Sequence, residues 1–131
     1  MNILKIKSTK LTPEIVMDPT NHVVEIKGFS FPEDAQEFYQ PIINWLKEYK
    51  EEYSNNFKDN NELKVYFKLV YFNSASTRLL VEIFELLNKM LTGGYSIKVY
   101  WHYDIEDPKM GETGNELSEI TKVPVQIISY N

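Results

Sequence analysis

The chain has 131 residues, of which 43% are apolar and 25% charged, and 19 acidic residues against 14 basic give it a net charge of −5. That balance argues against a nucleic-acid-binding role, which needs a basic face to neutralise phosphates. With no cysteines there is neither a disulfide framework nor thiolate chemistry, and no stretch of about 18 uninterrupted apolar residues supports a membrane span.

The size suits one domain, residues 1–131, able to bury roughly two-thirds of its unfolded surface. Met1–Lys7 alternates apolar and polar residues and has no signal-peptide core, so the expected compartment is cytoplasmic. Glu14–Met17 and Val23–Ile26 flank the turn formers Asp18-Pro19-Thr20-Asn21, which predicts a β-hairpin whose second strand ends at Gly28. Ser30-Phe31-Pro32-Glu33 has the spacing of a capping box. Behind it Ala35, Phe38, Ile42, Trp45, Leu46 and Tyr49 recur at helical spacing. Pro41 should kink or restart that helix near Gln40. Lys47, Lys50 and Lys58 alternate with acidic residues, as on a solvated helix end, and Ser54-Asn55-Asn56 with Asp59-Asn60-Asn61 marks the following loop.

Glu62–Phe72 predicts a central strand, with Val65, Phe67, Leu69 and Tyr71 on one face and Tyr66, Val70 and Phe72 on the other. A strongly apolar helix over Ser76–Leu91 should follow, ended by Thr92-Gly93-Gly94. Its excess of apolar residues means either enclosure on nearly every side or a face reserved for a partner. Ser96–Tyr103 reads as a further strand, Asp104–Gly114 as a loop broken by Pro108, Gly111 and Gly114, Asn115–Thr121 as a short helix and Val123–Ser129 as the last strand. The order β-β-α-β-α-β-α-β defines an α/β fold with a mixed sheet.

No metal spacing surrounds His22 or His102, and no nucleophile elbow, P-loop or dinucleotide motif is present. No cofactor or metal is expected. Asp104, Glu106, Asp107 and Glu112 offer carboxylates for a small enzyme, although nothing in the sequence fixes their geometry. Trp101-His102-Tyr103-Asp104 is a dense aromatic exit from a strand, which fits the edge of a core cluster or a protein-binding rim.

The junction Tyr71-Phe72-Asn73-Ser74-Ala75-Ser76-Thr77-Arg78 is the richest in chemistry. Ser74 can cap the following helix by accepting a backbone N–H bond, worth about 1 kcal/mol. Asn73 can cap equally well, so the second polar side chain also fits a phosphorylation site, at which the positive helix end would favour a phosphate.

Several segments carry a resemblance beyond these local readings: Thr12-Pro13-Glu14-Ile15, Gly28-Phe29-Ser30-Phe31-Pro32-Glu33, Tyr71-Phe72-Asn73-Ser74-Ala75-Ser76, and Gly94-Tyr95 leading to Trp101-His102-Tyr103-Asp104. In this order and over nearly the whole chain they resemble the SiaC family of bacterial regulatory phosphoproteins, which look like distant relatives of STAS-type anti-sigma factor antagonists. The resemblance implies a STAS-like, non-enzymatic switch. A serine/threonine kinase would phosphorylate a hydroxyl after the central strand, a PP2C-type phosphatase would remove it, and the unmodified form would bind a diguanylate cyclase. The acceptor falls on Ser74, where a family member carries threonine, with Ser76 and Thr77 as runners-up. Asn73, Ser74, Arg78, Glu82, Trp101 and Tyr103 are the implied partner-binding residues. A constitutive interaction subunit is the other non-enzymatic alternative.

Overall fold

The computed structural model describes residues 1–54, 56 and 58–131. Its elements are β1 (Leu4–Ile6), β2 (Glu14–Asp18), β3 (Val23–Ser30), α1 (Ala35–Glu52), β4 (Leu63–Phe72), α2 (Ser74–Thr92), β5 (Ile97–Asp104), α3 (Pro108–Thr121) and β6 (Val125–Tyr130). The strands form one sheet in sequence order. β1, β2 and β3 pair antiparallel, and β3 through β6 pair parallel. Three successive β-α-β steps thus move in one direction across the sheet, and right-handed crossovers then place all three helices on the same face. Val24, Ile26, Val65, Phe67, Val99 and Trp101 point into that layer and are buried under Ile42, Leu46, Leu79, Phe84 and Leu117. The opposite face carries no helix among the described residues.

The mixed α/β class, the β2–β3 hairpin, the central strand and the helix after it are as expected from sequence. In the hairpin, Asp18 accepts from the backbone N–H of Thr20 at 2.9 Å and of Asn21 at 3.2 Å, which fixes the turn. These hydrogen bonds, led by those with Asn21, hold the Asp18 carboxyl below its usual pKa.

Other expectations need correction. The three residues of β1 add a sixth strand, so the order is β-β-β-α-β-α-β-α-β. Gly28 does not end β3. It takes φ +119° beside a β-bulge, and the strand runs on to Ser30. Ser30 consequently caps nothing. Asp34 caps α1 by accepting from the Glu37 N–H at 3.0 Å. α1 continues unbroken through Pro41, because Glu37, whose carbonyl loses a donor, and Pro41 both face solvent, where water can serve instead. α3 begins at Pro108, where a loop was expected. Gly111 and Gly114 do not break it. A Cβ at Gly111 would lie 2.9 Å from the Tyr103 ring, and one at Gly114 would lie 2.5 Å from the Trp101 indole. Both glycines let the helix lie directly on β5. The strand expected over Val123–Ser129 is β6, two residues later at its start. In the loop after α1, Asn55 lies outside the described residues. Buried Asn56 exchanges two 2.9 Å hydrogen bonds with the backbone of Ser96.

Candidate phosphorylation site

α2 starts at Ser74, and the capping question is settled one residue earlier. The Asn73 side chain accepts from the Ser76 N–H at 2.9 Å, and its carbonyl accepts from the Thr77 N–H at 3.0 Å. Ser74 is therefore the first helical residue, exposed to solvent, and its hydroxyl makes no hydrogen bond to any described residue. No acidic side chain occupies the first turn of α2, so the positive end of the helix is left without a fixed counter-charge.

The runner-up hydroxyls are placed differently. Ser76 is fully buried. Its Oγ lies 2.9 Å from Ser30 Oγ and donates to the Ser30 carbonyl at 3.1 Å, while Ser30 Oγ lies 2.5 Å from the Tyr39 hydroxyl. Burial raises the Tyr39 pKa, partly offset by its bonds with Ser30 and Ser76. Tyr39 therefore stays protonated. The three hydroxyls, together with the 3.0 Å bond from Asn73 N–H to the Ser30 carbonyl, tie the end of β3, α1 and the first turn of α2 together beneath Ser74. Thr77 is half-buried, and its hydroxyl donates to the Asn73 carbonyl at 3.2 Å. Ser74 is open to solvent in the folded domain, whereas Ser76 is sealed.

Of the expected partner residues, Asn73, Ser74, Arg78 and Glu82 lie together. Ser74, Arg78 and Glu82 are exposed and spaced four residues apart, so they form one ridge along α2. Arg78 also reaches Gln36 of α1 at 3.3 Å. Trp101 and Tyr103 do not join this ridge. Trp101 is 1% exposed, packs on Phe67, Phe84 and Phe72, and donates from Nε1 to the Met110 carbonyl at 2.9 Å. Tyr103 lies half-buried against Gly111. Both side chains seat α3, Trp101 from within the core and Tyr103 with part of its surface still open to solvent. The apolar excess of α2 is likewise spent internally: Leu79, Leu80, Ile83, Phe84, Leu87 and Met90 are all buried.

The exposed apolar surface lies elsewhere, at a place the sequence concealed. Gly28 pairs with Leu69, but Phe29 pairs with Tyr71, so Val70 and Tyr71 share one position in the ladder. Such a bulge turns two consecutive side chains to the same side. Tyr71 was expected on the same face as Leu69. It is instead 51% exposed, next to Val70 and Phe29, each 46% exposed. Phe72 takes the inward place and packs on Trp101. Phe31 bridges the group, with ring centroids 6.2 Å from Phe29 and 5.7 Å from Tyr71. This aromatic patch ends three residues before Ser74. The alternation of β4 gave no sign of it.

The acidic segment has a structural explanation. Asp104 accepts from the Glu106 N–H at 2.9 Å, and Asp104, Glu106, Asp107 and Glu112 are all exposed. Among the described residues no three His, Cys, Asp or Glu side chains are grouped so as to hold a metal ion, and no helix is long and apolar enough to cross a membrane.

Residues 6–130 match the model of the SiaC family regulatory phosphoproteins, and the chain belongs to that family. It is similar to an uncharacterized protein of Pseudomonas aeruginosa (strain UCBPP-PA14), 26% identical over the whole chain and 99% of the relative. It is also similar to two solved structures at the same identity. Against apo-SiaC from Pseudomonas aeruginosa the TM-score is 0.86, covering 98% of this chain and 99% of the other. Against SiaC in the crystal structure of the diguanylate cyclase SiaD in complex with its activator SiaC, from the same organism, it is 0.88, covering 97% and 99%.

Proposed function

We propose that this chain is a cytoplasmic, non-enzymatic partner-switching protein whose state is set by reversible phosphorylation of Ser74. A serine/threonine kinase would add the phosphate, a PP2C-type phosphatase would remove it, and the unmodified form would bind and control a diguanylate cyclase. The observation that carries this reading is the exposed hydroxyl of Ser74, relieved of capping by Asn73 and placed beside an exposed aromatic patch. The cyclase enters because a relative of the same fold forms such a complex.

The physical chemistry is that of a conditional charge. A phosphoserine at the first position of α2 brings nearly two negative charges to a helix end whose free N–H groups favour them. Arg78, one turn on, stands on the same ridge to pair with the phosphate. Phosphorylation should therefore leave the domain folded. The same charge beside Phe29, Phe31 and Tyr71 has to be desolvated when an apolar partner docks, and that opposes binding.

Two substitutions test this reading. Ser74→Ala should fold normally and bind the cyclase constitutively. Ser74→Asp should fold normally and bind it weakly. Equal affinity of the two variants would refute the switch.

A further inference from the structure

Arg78 is the only arginine among the 14 basic residues of the chain. It stands one helical turn after Ser74, exposed on the same ridge. A lysine there would supply the same charge, but arginine alone presents a planar fork of donors that matches a carboxylate or a phosphate. Helical side chains lean toward the N-terminus, so the reach of this guanidinium is back over the first turn of α2. What holds it there is neutral. Arg78 donates to Gln36 Oε1 at 3.3 Å, a long bond. Gln36 Nε2 is spent on Gln40 Oε1 at 2.6 Å, and Gln40 Nε2 on Asn44 Oδ1 at 2.9 Å. This row of amides along α1 turns an oxygen toward Arg78 and offers it no negative charge. The carboxylates of the two helices closest to it in sequence or fold are Glu82 on α2 and Asp34 and Glu37 at the start of α1. Asp34 is engaged at its own helix cap, and neither ion pair among the described residues, Met1–Glu52 or Lys68–Glu25, includes Arg78.

We infer that Arg78 is the group through which the phosphate acts, an inference that rests on the Ser74 switch: in the unmodified chain its fork docks on a carboxylate of the cyclase, and a phosphate on Ser74 withdraws it. Charge-assisted hydrogen bonds are roughly twice as strong as neutral ones, so either anion displaces Gln36. The phosphate is tethered on the same helix and acts at high effective concentration, whereas the partner's carboxylate arrives only with docking. One arginine does not serve both. Phosphorylation therefore removes an attraction, in addition to placing a charge that must be desolvated beside Phe29, Phe31 and Tyr71.

The test installs phosphoserine at position 74 of the full chain and titrates the phosphorylated and unmodified forms, as wild type and as Arg78 variants, against the host's diguanylate cyclase. Arg78→Ala should weaken binding of the unmodified form about tenfold and shrink the ratio between the two forms from at least about a hundredfold to about tenfold. Arg78→Lys should fall between wild type and Arg78→Ala in both respects, because it keeps the charge without the fork. Arg78→Glu should bind at least about fivefold more weakly than Arg78→Ala, since it sets two carboxylates against each other. A second readout needs no cyclase. Phosphorus NMR follows the second ionisation of the phosphoserine, whose pKa is ordinarily about 6, and Arg78→Ala should raise it. Glu82, Asp34 and Glu37 are common to both chains, so the difference reports Arg78. The inference is overturned if Arg78→Ala leaves the unmodified affinity within about twofold, if the ratio is unchanged, if Arg78→Glu binds no worse than Arg78→Ala, or if the phosphoserine pKa does not move. A wild-type chain whose affinity ignores the phosphate would overturn the Ser74 switch itself, and this inference with it.

Discussion

The first turns of α1 and α2 meet solvent along the same edge of the sheet and treat the positive end of a helix in opposite ways. α1 is capped by Asp34 and has Glu37 in its first turn, so its dipole meets fixed carboxylates. α2 is capped by neutral Asn73 and has no acidic residue in its first turn, but exposes Ser74 there. One end holds permanent charge, and the other leaves its positive end without a fixed counter-charge, the arrangement on which the proposed switch relies.

The largest effect should come from supplying that charge. Ser74→Asp is expected to weaken cyclase binding by about 3 kcal/mol, roughly a hundredfold, in calorimetric titration. The same change at Gln36, in the first turn of α1, should do far less. Next comes the support beneath the site. Tyr39→Phe removes the hydroxyl bonded to Ser30 in a buried cluster and should cost about 1–2 kcal/mol in urea unfolding. The caps follow: Asn73→Ala and Asp34→Ala should each cost about 1 kcal/mol. Swapping the caps sharpens the contrast further. Asp34→Asn should lose about 0.5 kcal/mol, and Asn73→Asp should gain a similar amount, both fading at high salt.

The smallest expected effect lies on the open face. Burial chiefly, then the nearby Lys68 charge, lowers the His102 pKa below its ordinary 6.5, against Glu25, which raises it. The unfolded chain then binds a proton that the folded chain resists. This contribution to stability is complete above pH 6.5 and declines as the pH falls through the depressed folded value. His102→Gln should flatten that acid-side slope in thermal melts recorded from pH 7.5 to 5. An unchanged slope would assign it elsewhere.

Much of this architecture could be read from the chain because the hydrophobic period is regular where layers are thick. The stripes of α1 and α2, the hairpin and β4 up to Leu69 all follow from spacing. What escaped has local causes. A bulge inserts one residue and reverses the inward and outward sense of everything after it, so Tyr71 and Phe72 exchanged places. Glycine carries two opposed meanings, and Gly111 and Gly114 were read as breakers when they are contact points for Tyr103 and Trp101. Ser30 matched a capping pattern but still belongs to β3 and joins a buried hydroxyl cluster instead. β1 shows the right alternation over too few residues to stand out. The exposed junction at Ser74 was legible because it depended only on where one strand stops and one helix begins.

The central claim is that a phosphate on Ser74 alone decides partner binding. Its most direct test prepares the chain from its native host, locates the modification by peptide mass spectrometry, and titrates the phosphorylated and dephosphorylated forms against the host's diguanylate cyclase. The account predicts phosphate on Ser74 and binding by the dephosphorylated form at least about a hundredfold tighter, a difference of roughly 3 kcal/mol. Equal affinity of the two forms, or phosphate confined to another residue, would contradict it.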